Sequence, residues 1–164
     1  MANINLIRID SRLIHGQVIT KWVKVANAGK IIIVDDPLSK DSFMADIYIM
    51  AAPKDVKVEI MSVEQAMARW SKDNFGDGNI LILFKDVETC YRLFKLGFPM
   101  KYLQIGGLPS AAGRTTVLRA VSFDSKDAGQ LKEMSGKGTE VVLHIIPEES
   151  KMEFDKVLKK FKNL

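Results

Sequence analysis

The sequence predicts an α/β domain: a three-layer α/β/α fold whose central sheet is mostly parallel, with antiparallel strand at an edge. Three observations predict it. Apolar runs of strand length, such as residues 4–9, 30–34 and 80–84, alternate with segments of helical period. The run Lys-Ile-Ile-Ile-Val at 30–34 is almost wholly β-branched, as a parallel strand buried on both faces requires. The 164 residues suit one domain spanning 1–164, large enough to bury a core without a disulfide or metal staple. No internal repeat, low-complexity segment or linker divides them.

The elements follow in order. Residues 4–9 form the first strand. Residues 16–28 read as a helix with Val18, Trp22 and Val25 on one face, stopped by Gly29. After the strand at 30–34, Ser39 or Asp41 caps a helix running to Ala52, which Pro53 ends. A third strand (56–61) leads into a helix from Ser62 to about Trp70, a polar turn (74–78) and a central strand (80–84). Asp86 caps the next helix, where Val87, Cys90, Tyr91 and Phe94 share a face and Gly97 closes it. A fifth strand (101–105) ends in Gly106-Gly107. Residues 108–114 are loop-like, and 115–123 read as an edge strand. Ser125 begins a helix that breaks at Gly136-Lys137-Gly138. A last strand covers 139–146, and Pro147 opens a terminal helix packing Phe154, Val157, Leu158 and Phe161. Glu148 and Glu149 stand first in that helix and Lys159, Lys160 and Lys162 last. That order suits the helix dipole, so the lysines read as a solvated face.

Composition narrows the function. The net charge of +4 arises from 24 basic and 20 acidic residues spread along the chain, without the basic stripe that nucleic-acid binding needs. The longest hydrophobic run, residues 47–52, is far short of a membrane span, and the N-terminus lacks the pattern of a signal peptide. Cys90, the single cysteine, sits on an apolar helix face and reads as core, consistent with a reducing compartment. The expectation is a cytoplasmic protein without direct membrane insertion.

Several chemistries are disfavoured. One cysteine and two distant histidines do not make a zinc site. The stretch from Gly107 to Thr115 departs from a P-loop in spacing, and Arg114 stands where its lysine would be. No GxGxxG follows the first strand and no GxSxG is present. Met61-Ser62 occupies the place of a receiver-type phosphoaspartate. No cofactor is called for.

The informative segment ends the first strand: Arg8-Ile9-Asp10-Ser11-Arg12-Leu13-Ile14-His15-Gly16-Gln17. In open α/β sheets, ligands bind beyond the carboxyl ends of the strands. Here two arginines, an aspartate and a histidine converge on a helix N-terminus, whose unpaired N–H groups favour an anion such as phosphate. Arginine suits phosphate because its planar fork stays charged and binds two oxygens. A largely unprotonated imidazole can accept a phosphoryl group, and Asp10 is the nearest group to hold one ring nitrogen while the other attacks. Read without further context, the same residues also suit an exposed histidine beside a plain Arg8–Asp10 ion pair. His144, inside the predicted last strand, reads as structural.

The run Ile9-Asp10-Ser11-Arg12-Leu13-Ile14-His15-Gly16-Gln17-Val18 closely resembles the phosphohistidine signature of the IIB component of the mannose/fructose/sorbose-type sugar phosphotransferase system. The similarity covers essentially the whole chain, with Ile33-Val34-Asp35-Asp36, Gln104-Ile105-Gly106-Gly107 and Ala120-Val121-Ser122-Phe123-Asp124 where that family has comparable segments. The resemblance implies a three-layer α/β/α phosphoryl carrier. Such a domain takes the group from a phosphorylated IIA component and passes it to a sugar imported by the membrane components IIC and IID. His15 matches the phosphorylated histidine, reacting through Nδ1. Arg12 matches the arginine that steadies the phosphoryl group, and Arg8, Asp10, Gly16 and Gln17 match its surroundings. The resemblance also implies peripheral association with the membrane transporter and makes a homodimer a reasonable expectation.

Two departures from the family stand out. Ser11 replaces the usual Asp or Glu, removing a charge whose exposed position makes its effect about 1 kcal/mol or less. Residues 108–112 (Leu-Pro-Ser-Ala-Ala) lack the Phe-Arg that many relatives carry after the two glycines, and Arg114 is the candidate to replace that charge. Asp35 and Asp36 end the second strand, where they either orient His15 or Arg12 or cap the following turn. Gly106 and Gly107 either admit backbone to the phosphate or form a turn needing positive φ. The alternative to a carrier is a regulatory module on the same scaffold that senses phosphate or a partner without transferring the group.

Overall fold

The computed structural model describes residues 1–14 and 16–161, and for Gln17 its backbone alone. Seven strands form one sheet in the order β3-β2-β4-β1-β5-β8-β9. They are β1 (Asn3–Asp10), β2 (Lys30–Val34), β3 (Lys57–Met61), β4 (Asn79–Phe84), β5 (Tyr102–Gly107), β8 (Glu140–Leu143) and β9 (Met152–Glu153). All pairings are parallel except β8 with β9. The strands β6 (Thr115–Leu118) and β7 (Val121–Phe123) pair antiparallel as a separate hairpin, not as an edge of the main sheet.

Alternation along the strands divides the core into two layers. Ile31, Ile33, Leu81 and Leu83 face α1 (Gly16–Ala26), where Ile19, Trp22, Val23 and Ala26 are buried. The short α2 (Asp36–Ser39) packs on the same side through Leu38, and α3 (Ser42–Ala51) lies there through Tyr48. Ile32, Val34, Ile82 and Phe84 face α4 (Val63–Asp73), α5 (Val87–Lys95) and α6 (Ser125–Gly136). The last helix, α7 (Phe154–Leu158), buries Phe154 and Val157 into this second layer. The expected three-layer α/β/α class with a mostly parallel sheet is the fold observed.

Several local readings are corrected. In α1, Val25 points to solvent at 62% exposure and Ile19 and Val23 share the buried face with Trp22. Asn27, at φ 49°, makes the left-handed exit that Gly29 was expected to make; the Asn amide tolerates that region. Asp41 caps α3, whereas Ser39 closes α2. The last strand stops at Leu143, because Arg8 draws the next two carbonyls out of the ladder. Pro147, Glu148 and Glu149 then form turns and not a helix, so the dipole argument for the terminal lysines does not apply; Lys162 lies outside the described residues. Cys90 is core as expected, its thiol pushed up by burial and set 3.7 Å from the Met100 sulfur.

Candidate phosphoryl site

The connectivity opens a crevice at the carboxyl end of β1. β1 and β4 are hydrogen-bonded neighbours, yet the chain leaves β1 into α1 on one face and β4 into α5 on the other. The register of β1 against β5 shifts at Ile9/Asp10, pairing Asp10 with Gly107. The Ser11 N–H then donates to the Gly107 carbonyl at 2.9 Å, and the Leu13 N–H to the Asp10 carbonyl at 2.9 Å, forming a tight turn. Leu13 takes a left-handed φ of 53°, uncommon for a side chain of its size, and is held there by burial. With Leu13 and Ile14 both in the core, the Arg12 side chain projects outward.

Arg12 is not loose. Its Nε and Nη2 donate to the two oxygens of Asp10 at 3.0 and 2.9 Å, and its backbone N–H adds a third bond at 3.1 Å. This bidentate grip holds the Arg12 guanidinium above its ordinary pKa, chiefly through the hydrogen bond to Asp10. The Arg12 side chain remains 42% exposed, and among the described residues its Nη1 has no hydrogen-bond partner.

Beneath it, Arg8 is 1% exposed. Its Nη2 donates to Asp10 Oδ2 (3.2 Å) and the Ile145 carbonyl (3.1 Å), and its Nη1 to the His144 carbonyl (2.7 Å) and Gln104 Oε1. The Trp22 ring covers the guanidinium at 5.1 Å. Burial lowers the Arg8 pKa to about 10, offset in part by Asp10. Asp10 thus accepts from both arginines, and its lone pairs are occupied by them. It clamps Arg12. Two guanidiniums on one carboxylate leave one net positive charge at the end of β1.

The glycines of β5 make this packing possible. Neither Gly106 nor Gly107 has positive φ, so the turn reading gives way to a steric one. A Cβ on Gly106 would fall on the Arg8 guanidinium, and one on Gly107 would lie 2.7 Å from Asp10 Oδ1. Gly16, at φ +67°, opens α1 in a conformation that disfavours other residues. His15 and the Gln17 side chain lie outside the described residues.

Comparison with known proteins identifies the family. The chain matches the model of the sorbose subfamily IIB component of the phosphotransferase system (PTS) over residues 4–164. It is 36% identical over 143 residues to the sorbose-specific EIIB component of Lacticaseibacillus casei, covering 87% of each chain. The chain belongs to the sorbose subfamily of PTS IIB components. The fructose-specific EIIB component of Bacillus subtilis (strain 168) is 30% identical to this IIB chain over 159 residues, covering 97% of this chain and 98% of the relative. The crystal structure of manxB from Thermoanaerobacter tengcongensis superposes with a TM-score of 0.92 at 37% identity, covering 99% of this chain and 98% of that one. Among the described residues of this IIB chain, no helix is long and apolar enough to cross a membrane.

The remaining expected site residues make other contacts. Asp35 caps α2, accepting from the Leu38 N–H at 2.9 Å. Asp36 accepts from the Val63 N–H at 2.9 Å and from Arg92 at 2.8 Å, which hold its carboxyl below the ordinary value. Both are structural ties between α2 and its surroundings, not partners of Arg12. Arg114 does not replace the missing loop charge. It donates to the Ser122 carbonyl and Asp127, both at 2.7 Å, joining the β6–β7 hairpin to the start of α6. Conversely, Trp22, Gln104 and the turn at His144 and Ile145 were not read as parts of the site. His144 sets its Nε2 2.7 Å from the Glu149 carbonyl and packs edge-on against Trp22. The one signal in the sequence was Arg8 itself, a cation inside a strand that must be buried.

Proposed function

We propose that this IIB chain is a phosphoryl carrier, with His15 as the residue that takes the group from a phosphorylated IIA component and gives it to a sugar imported by membrane IIC and IID components. The observation that supports this is Arg12: a guanidinium locked on one edge by Asp10, open on the other, and three residues before His15. Such a group neutralises phosphoryl oxygens without having to be ordered first. The start of α1 adds unpaired N–H groups and has no acidic residue in its first turn.

In the first step the His15 imidazole attacks phosphorus. The N–P bond of the donor breaks, and the ring proton of His15 ends on the departing donor imidazole. In the second, a sugar hydroxyl attacks, the bond to His15 breaks, and the hydroxyl proton ends on its imidazole. Arg12 holds the transferring oxygens in both.

Intact mass after incubation with phosphoenolpyruvate, the general transfer proteins and phosphorylated IIA tests the reading. Wild type should gain one acid-labile phosphoryl group and His15→Ala none. Arg12→Ala should slow the transfer about a hundredfold. A wild type that stays unmodified with charged IIA partners would favour the sensing module instead. Uptake and phosphorylation of individual sugars with matched IIC and IID would then name the substrate.

A further inference from the structure

The charge at the end of β1 depends on a neutral residue. Gln104 faces Arg8 across the β1–β5 pair, is 1% exposed, and accepts from Arg8 Nη1. Apart from Asp10, the other acceptors on this guanidinium are the carbonyls of His144 and Ile145. A buried arginine usually recruits a carboxylate of its own, because an uncompensated buried charge is strongly unfavourable. Here an amide stands in that position, and among the described residues the one carboxylate in contact is shared with Arg12.

We infer that Gln104 is a positioning residue that keeps the site cationic: its amide oxygen fixes Arg8 without adding negative charge, so Asp10 serves both arginines and one positive charge remains for the phosphoryl group. This rests on the carrier reading. Trp22 joins the same support from the other side. Its Nε1 donates to the Ile145 carbonyl that also accepts from Arg8, so the helix following His15 and the arginine beneath Arg12 are anchored on one atom.

Two near-isosteric substitutions separate charge from geometry. Gln104→Glu keeps the acceptor and adds a charge; Gln104→Met keeps the size and removes the acceptor. The equilibrium constant for phosphoryl transfer from phosphorylated IIA should fall about tenfold in Gln104→Glu, while its urea midpoint stays at or above that of wild type. In Gln104→Met, hydrogen exchange at the Arg12 Nε–H, followed by NMR with Arg12→Lys for assignment, should quicken several-fold. An unchanged transfer equilibrium in Gln104→Glu would overturn the charge role. Unchanged exchange at Arg12 in Gln104→Met would overturn the positioning role. If wild type itself accepts no phosphoryl group, the carrier reading fails, and the exchange measurement still decides whether Gln104 sets Arg12.

Discussion

Two arginine–carboxylate clusters in this molecule have opposite charge balance. At the end of β1, Arg8 and Arg12 share Asp10, so a positive charge is left over and the Arg12 edge faces solvent. At the start of α6, Arg114 is shared by Asp124 and Asp127, so the surplus is negative, and Arg114 is only 20% exposed. The first can attract and hold an anion. The second closes on itself, tying the hairpin to a helix already capped by Asp124. Both contain the same residue types. The difference lies in which sign is in excess and which edge is open, and on the proposed carrier reading that fits the first to function and the second to stability.

The comparison breaks most sharply at Arg8. Arg8→Met should leave Asp10 buried with a single partner and the His144 carbonyl and Gln104 Oε1 unpaired, lowering stability by about 3–5 kcal/mol in urea titration. Next in size, Gly106→Ala puts a methyl group on the Arg8 guanidinium and should cost about 1–3 kcal/mol. Gly129→Ala, in α6 where a Cβ meets nothing within 4 Å, should instead stabilise by about 0.5–1 kcal/mol. Arg114→Met sharpens the contrast from the other cluster. It should lower the urea midpoint by the equivalent of about 1–2 kcal/mol and leave the rate of phosphoryl transfer unchanged.

The smallest effect concerns pH. The Asp36 carboxyl is held below its ordinary 3.8 by the Val63 N–H and Arg92. The folded protein therefore binds this proton less readily than the unfolded chain. The stability it contributes is present above the ordinary carboxylate value and lost as pH falls through the lower, folded one. Asp36→Asn should flatten that acid limb of the stability curve; an unchanged limb would assign it to other carboxylates.

Much was legible along the chain because the responsible forces are local. Strand and helix alternation, the cap at Asp86, the choice of Ser39 or Asp41 as a cap, and the run from Ile9 to Val18 need only neighbouring residues to be read. What failed to read depended on distant groups. The last strand is cut short by an arginine from the first, and Gly106 and Gly107 exist to make room for Arg8 and Asp10. Arg114 looked like a site residue because it carries the right charge near a strand end; only its partners show it tied to the start of α6.

By itself the sequence determined the α/β class, the family resemblance and the segment where phosphoryl chemistry would sit, since these lie in periodicity and in ten contiguous residues. Only the tertiary structure decided which charges meet. Arg8 draws its acceptors from β1, from Gln104 on β5 and from the turn after β8, and its aromatic cover from α1. Those pieces are brought together by sheet order, which a linear pattern does not encode. A buried ion is tolerable only where every such partner arrives at once.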